Sequence, residues 1–264
     1  MKQKKFAGLF AAFALALTLP VGYGNTTVSA SEAQEPTAVT DESTAGADTE
    51  QKSEADAEQE SEADENQAAA QQLLLDLQGT YQELWPVVLA DEYRQVWLDA
   101  SAELVGEENA EGAVEKMASM VTGTVTGEEA VEAYKDGNMA YCCDFLQDVE
   151  QFTFDGTTIS GVDEGGNELF SHSYHYVGME EIRGLYVYES DDADSGEFTY
   201  FCMAPDTMET TWHIEFRYGS DLEALGQYDA GEYAYWLASG ISVDHTEEDA
   251  KNSIILFCTE NLSE

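Results

Sequence analysis

Between residues 149 and 218 the chain is a series of short runs of strand-forming residues cut by tight turns, and this limits the available folds more than any other feature. Val149, Phe152, Phe154 and Ile159 are followed by Leu169, Tyr174, Tyr176 and Val177, then by Leu185, Tyr186, Val187 and Tyr188. Asp155-Gly156, the Asp-Glu-Gly-Gly stretch at 163–166, Gly178, Gly184 and residues 190–196 interrupt them. Two more alternating runs cover 198–203 and 210–218. β-Branched and aromatic residues suit a pleated, half-buried surface, and glycine with aspartate supplies the turns. About seven such strands at regular spacing predict an antiparallel barrel or sandwich.

Helical spacing surrounds this β region. Leu73, Leu74, Leu75 and Leu77 open it, and Tyr81, Leu84, Trp85 and Val88 predict a helix ending near Ala90. Asp91 reads as the N-cap of a helix over 93–104, with Val96, Trp97 and Ala100 on one face. A helical pattern continues over 107–120. Thr126, followed by Glu128 and Glu129, predicts a capped helix running through Ala133 and Tyr134 to Tyr141. Residues 221–225 and 247–258 are helical again. The expected class is mainly β with flanking helices.

The N-terminal stretches read differently. Residues 1–30 resemble a secretory signal peptide: three lysines, an apolar run over 6–19, Pro20 and Gly22, then Val28-Ser29-Ala30 as a cleavage pattern. The apolar run is about 14 residues, short of the roughly 20 a membrane span needs. Residues 31–70 hold 13 acids, one base (Lys52) and no aromatic residue. Such a segment buries too little to offset its chain entropy, so an acidic disordered linker is expected. The domain is then 71–264. The expected location is the exterior of a bacterial cell, without membrane insertion after cleavage.

The whole chain has 54 Asp and Glu against 10 Lys and Arg, a formal charge of -44. Nucleic acid is excluded as a partner, since phosphate binding needs a basic face. Cations are favoured. Four cysteines, Cys142, Cys143, Cys202 and Cys258, leave two readings in a secreted chain. In one, Cys142 or Cys143 bonds Cys202 or Cys258. In the other, all four are buried free thiols.

Enzyme chemistry finds little support. No Gly-x-Ser-x-Gly elbow and no glycine-rich phosphate loop is present, so the reading is a binding protein and not an enzyme. His172 and His175 read as ordinary strand positions on opposite faces, and His245 as a surface residue. Asp192-x-Asp194-x-Gly196 reads as an acidic hairpin turn. His213 differs, because Trp212-His213-Ile214-Glu215-Phe216 alternates and places His213 and Glu215 on one strand face. An imidazole nitrogen and a carboxylate oxygen at i, i+2 can hold one divalent ion.

Four stretches carry a family resemblance: Leu77-Gln78-Gly79-Thr80-Tyr81 with Val96-Trp97; residues 141–150, which include Asp148-Val149; Tyr174-His175-Tyr176-Val177-Gly178; and Trp212-His213-Ile214-Glu215-Phe216-Arg217-Tyr218-Gly219. In this order they resemble the ZinT/YodA family of secreted zinc-binding proteins, as a divergent member. The resemblance implies a lipocalin-like (calycin) antiparallel barrel preceded by helices, with zinc held by three histidines. His213 matches the first of the family's His-x-His pair and Glu215 the second. The family's Ser-Asp-His turn falls at Pro205-Asp206-Thr207, where Thr207 replaces the histidine and Asp206 is the simplest third donor, with water as a fourth ligand. The implied partners are Zn2+ and a metal-uptake system. A second reading is a calycin-type barrel that has lost the metal and holds an apolar small molecule.

Overall fold

The computed structural model describes residues 54–180, 182–203 and 208–263. The expectations for 1–30 and 31–53, together with Asp206 and Thr207, lie outside the described residues. In chain order the elements are α1 (Glu54–Asp76), β1 (Gly79–Glu83), α2 (Leu84–Val88), a 3-10 turn (Asp91–Tyr93), α3 (Arg94–Val105), α4 (Glu107–Val121) and α5 (Gly127–Tyr134). There follow β2 (Gln151–Asp155), β3 (Thr158–Val162), β4 (Glu168–Met179), β5 (Tyr186–Ser190), β6 (Tyr200–Met203), α6 (Met208–Thr211), β7 (His213–Gly219), α7 (Leu222–Leu225), β8 (Ala238–Ser242) and α8 (Glu247–Leu262).

The strands form a closed barrel in chain order, each antiparallel to its neighbours, and β1 pairs with both β2 and β8. Alternation fills the interior with aromatic rings. Phe152 lies 5.2 Å from Phe216, 5.2 Å from Tyr218 and 5.9 Å from Phe201 between ring centroids. Gly161 leaves room for this packing, since a Cβ there would fall 2.4 Å from the Phe170 ring. At Gly156, φ of +61° turns β2 into β3. A second apolar layer lies outside the barrel, where α2, α3, α4 and α8 bury Trp85, Val88, Trp97, Met117 and Ile254 against the wall.

Several sequence expectations change. The barrel has eight strands: six lie between 151 and 219, and the other two, 79–83 and 238–242, are not expected as strands from the sequence. Tyr81 pairs with Phe152 on one side and Ser242 on the other. The helix expected through Ala90 begins only at Leu84. The helix from Thr126 ends at Tyr134, and Tyr141 is outside it: its N–H donates to the Met120 carbonyl at 2.7 Å. The strand expected from residue 210 starts at His213, after α6. The linker boundary at 70 also shifts. The stretch from 54 is rich in Ala, Glu and Gln, with no Gly or Pro, and such residues favour helix. It forms α1, whose end buries Ala70, Leu73, Leu74 and Leu77 with the barrel core.

The disulfide expectation is corrected too, since all four cysteines are free and buried. They serve different contacts. Cys142 bridges Thr122 and Trp236, Cys202 pairs with Arg217 across β6 and β7, and Cys258 lies 3.8 Å from the Ser101 hydroxyl.

Candidate functional site

β7 divides its side chains by alternation. Ile214, Phe216 and Tyr218 belong to the barrel core, while His213, Glu215 and Arg217 lie on the other face. Across β8, His213 is opposite Ile241 and Glu215 opposite Ser239. His213 and Glu215 therefore project toward the helix layer, as their spacing predicts, and both line one cleft between the barrel wall and α2, α3 and α8. His213 is only 7% exposed, and Glu215 is half-buried. The cleft offers about 30 Å³, room for a water or two, since one water needs roughly 10–15 Å³.

Its aromatic wall is built by packing. Phe257 of α8 meets Trp85 edge-on at 4.8 Å and Trp97 at 6.0 Å. Behind Glu215 sits Cys143, whose carbonyl accepts from the Ser239 N–H at 3.1 Å. Burial pushes its thiol well above the usual range, and the Glu215 carboxylate adds to the shift.

β7 is entered under constraint. Short helix α6 is tied to α8, where the Asn252 amide donates to the Thr210 carbonyl at 2.8 Å and the Ser253 hydroxyl to the Thr211 carbonyl at 3.2 Å. Trp212 then takes φ of +48°, a left-handed conformation rare for a bulky residue. Its carbonyl accepts from the Ser242 N–H at 2.9 Å. His213 thus starts its strand directly after a joint fixed on α8.

The other histidines are engaged elsewhere. His172 and His175 pair separately, with Asp192 at 2.9 Å and Asp191 at 2.7 Å. His245 Nδ1 lies 2.7 Å from the Ser242 carbonyl. The Asp192–Gly196 stretch forms the connection between β5 and β6, where the Ser195 hydroxyl donates to Ser190 at 2.7 Å. Arg217, on the same outer face as His213, is fully buried. It donates to the carbonyls of Leu225, Gln227 and Tyr233 and stacks 4.4 Å from the Tyr228 ring. It holds the segment after β7 and takes no part in the cleft.

Sequence reasoning missed Glu260, which lines the same cleft from the last turns of α8. Ser253, Phe257 and Glu260 recur at i, i+4 and i+7, so helical spacing marks their shared face. Among the described residues no group of three His, Cys, Asp or Glu side chains could hold a metal ion.

No family model and no curated protein matches the chain. Solved structures do. The chain is similar to the ZinT-like domain of Streptococcus pneumoniae AdcA. The Zn(II)-bound form of that domain matches over 68% of this chain and 88% of its own length, with 19% identity and a TM-score of 0.43. Zn(II)-bound AdcA itself matches over 68% of this chain but 34% of its own length, with 19% identity and a TM-score of 0.42. Any function assigned to this chain rests on its own residues.

Proposed function

We propose that the chain is a secreted divalent-metal-binding protein that captures zinc, or an ion of similar chemistry, outside the membrane. The observation that supports it best is the placement of His213 and Glu215 on one face of β7, in one small cleft. A neutral imidazole nitrogen and a carboxylate oxygen are zinc ligands. In this reading Asp206, which lies outside the described residues, supplies a further oxygen. The role is capture and release to an uptake system, not catalysis. Zinc takes the neutral imidazole, so binding is expected to weaken as the solution is acidified.

The aromatic packing of Phe152, Phe201, Phe216 and Tyr218 speaks against the second reading, an apolar ligand inside the barrel. Calorimetric titration of the full chain with zinc at neutral pH tests the proposal. One tight site, lost in His213→Ala with the thermal midpoint retained, is expected. Zinc binding of unchanged affinity and stoichiometry in that variant overturns it.

A further inference from the structure

We propose that one rim of the barrel is a docking surface for a protein partner that presents apolar side chains among lysines and arginines, with Trp212 and Ile182 as its anchors. This goes beyond the metal-binding reading and does not depend on it.

The strand register brings one set of ends together. Met179 of β4 is opposite Tyr186 of β5, and Tyr186 is opposite Met203 of β6. His213 of β7 is opposite Ile241 of β8, and Ser242 is opposite Tyr81 of β1. β4, β6 and β8 therefore end, and β1, β5 and β7 begin, at the same rim, where α1 leads into β1. Six of the ten large apolar side chains left exposed among the described residues belong to these ends: Leu75, Val177, Met179, Ile182, Trp212 and Val243. Exposed apolar groups collected in one place mark interaction sites.

Two of them are held ready. Trp212, 40% exposed, keeps a left-handed backbone in which a bulky residue is strained. A position that served only as a turn would favour glycine or asparagine. Ile182, 70% exposed, sits on a braced hairpin. The buried Glu180 carboxylate accepts from the Ile182 N–H at 2.5 Å and the Arg183 N–H at 2.9 Å, and Arg183 stacks 4.4 Å from the Tyr228 ring. An anchor fixed in advance loses little freedom on binding, and tryptophan is among the residues that carry most binding energy in interfaces.

Charge selects the occupant. Asp76, Asp155 and Asp244 are exposed at the same rim, on a chain with a formal charge of -44. A second copy in a two-fold contact would bring the same carboxylates against them, and an anionic bilayer would be repelled. A partner whose apolar centre is ringed by cations satisfies both the apolar groups and the carboxylates.

The test titrates the full chain with a synthetic helical peptide that carries leucines on one face and lysines on the other. Its control has every leucine replaced by serine. The first peptide is expected to bind at least about tenfold tighter than the control. Trp212→Asn combined with Ile182→Ser is expected to remove at least about tenfold of that affinity, as the loss of interface anchors does. Asparagine tolerates the left-handed backbone, so the double variant should keep its thermal midpoint. No binding, equal binding of the two peptides, or unchanged affinity in the double variant overturns the proposal. Adsorption to phosphatidylcholine vesicles, or self-association in sedimentation, that the double variant abolishes overturns the choice of a basic protein partner in favour of a membrane or a second copy. If the double variant fails to fold, hydrogen exchange in the unsubstituted chain decides: the leucine–lysine peptide must slow exchange at the β4–β5 hairpin and at the start of β7, and protection elsewhere overturns the site.

Discussion

The Tyr188 hydroxyl donates to the Ala70 carbonyl at 2.7 Å, joining residues 118 positions apart. The bond pins the end of α1 to β5, beside the buried Leu73, Leu74 and Leu77. Tyr188→Phe removes the donor while the Ala70 carbonyl keeps its helical partner, a loss of about 0.5–1.5 kcal/mol. A chain starting at residue 65 is expected to keep the melting temperature of one starting at 31. A chain starting at 75 loses Ala70 and two buried leucines, each leucine worth roughly 1.5–3 kcal/mol, and should melt about 10 °C lower on a scale of roughly 2–4 °C per kcal/mol. Equal midpoints for all three would mean that α1 contributes nothing to the barrel.

Phe152 sits at the centre of the barrel, with Phe145 at 4.9 Å in addition to the rings named above. Phe152→Ala is expected to cost about 3–5 kcal/mol in urea unfolding. A loss below about 1 kcal/mol would show that the interior collapses freely around the gap.

Stability is expected to fall at alkaline pH. Burial pushes the Cys202 thiol up to about 12, and it raises the phenols of Tyr174, Tyr188 and Tyr218. In the unfolded chain thiols ionise near 8.5 and phenols near 10. Between those values and the folded ones the unfolded state binds fewer protons, so raising the pH favours it. The contribution is intact below about pH 8.5 and is lost progressively above it, at up to roughly 1.4 kcal/mol per pH unit for each group. Urea midpoints measured from pH 7.5 to 10.5 check this; a flat profile contradicts it.

These same elements show what the sequence could reveal. The strands from Phe152 onward are legible because apolar and polar residues alternate against a one-sided core. Tyr81 misleads because 81, 84, 85 and 88 imitate a helical face, while its place is decided by partners in β2 and β8. β8 carries no signal at all. Its Gly240 faces Phe145 and Tyr81, where an added Cβ would lie 3.2 Å and 3.4 Å from their atoms, so no bulky strand former fits. His213 and Glu215 share a face by local periodicity, which sequence reveals. Glu260 joins them only through the docking of α8, which it does not.

Monovalent salt is expected to stabilise the fold. Residues 71–264 carry 41 acids and six bases, and self-repulsion opposes compaction. The ion pairs Arg94–Glu111 and Lys251–Glu247 are exposed, and such pairs contribute little. Raising salt from 0.01 to 0.15 M shortens the screening length from about 30 to 8 Å and should raise the thermal midpoint. A midpoint that falls with salt would assign net stability to those pairs instead.

A sheet closed on itself has no first or last strand. With β1 bonded to both β2 and β8, the wall offers no unpaired row on which a strand of another copy could grow. Charge keeps copies apart at neutral pH, and that protection fades toward the sequence pI near 4.1. Closure persists after repulsion is gone. Copies brought together by acid therefore meet as folded bodies and can redissolve, and fibril growth must wait for the barrel to open.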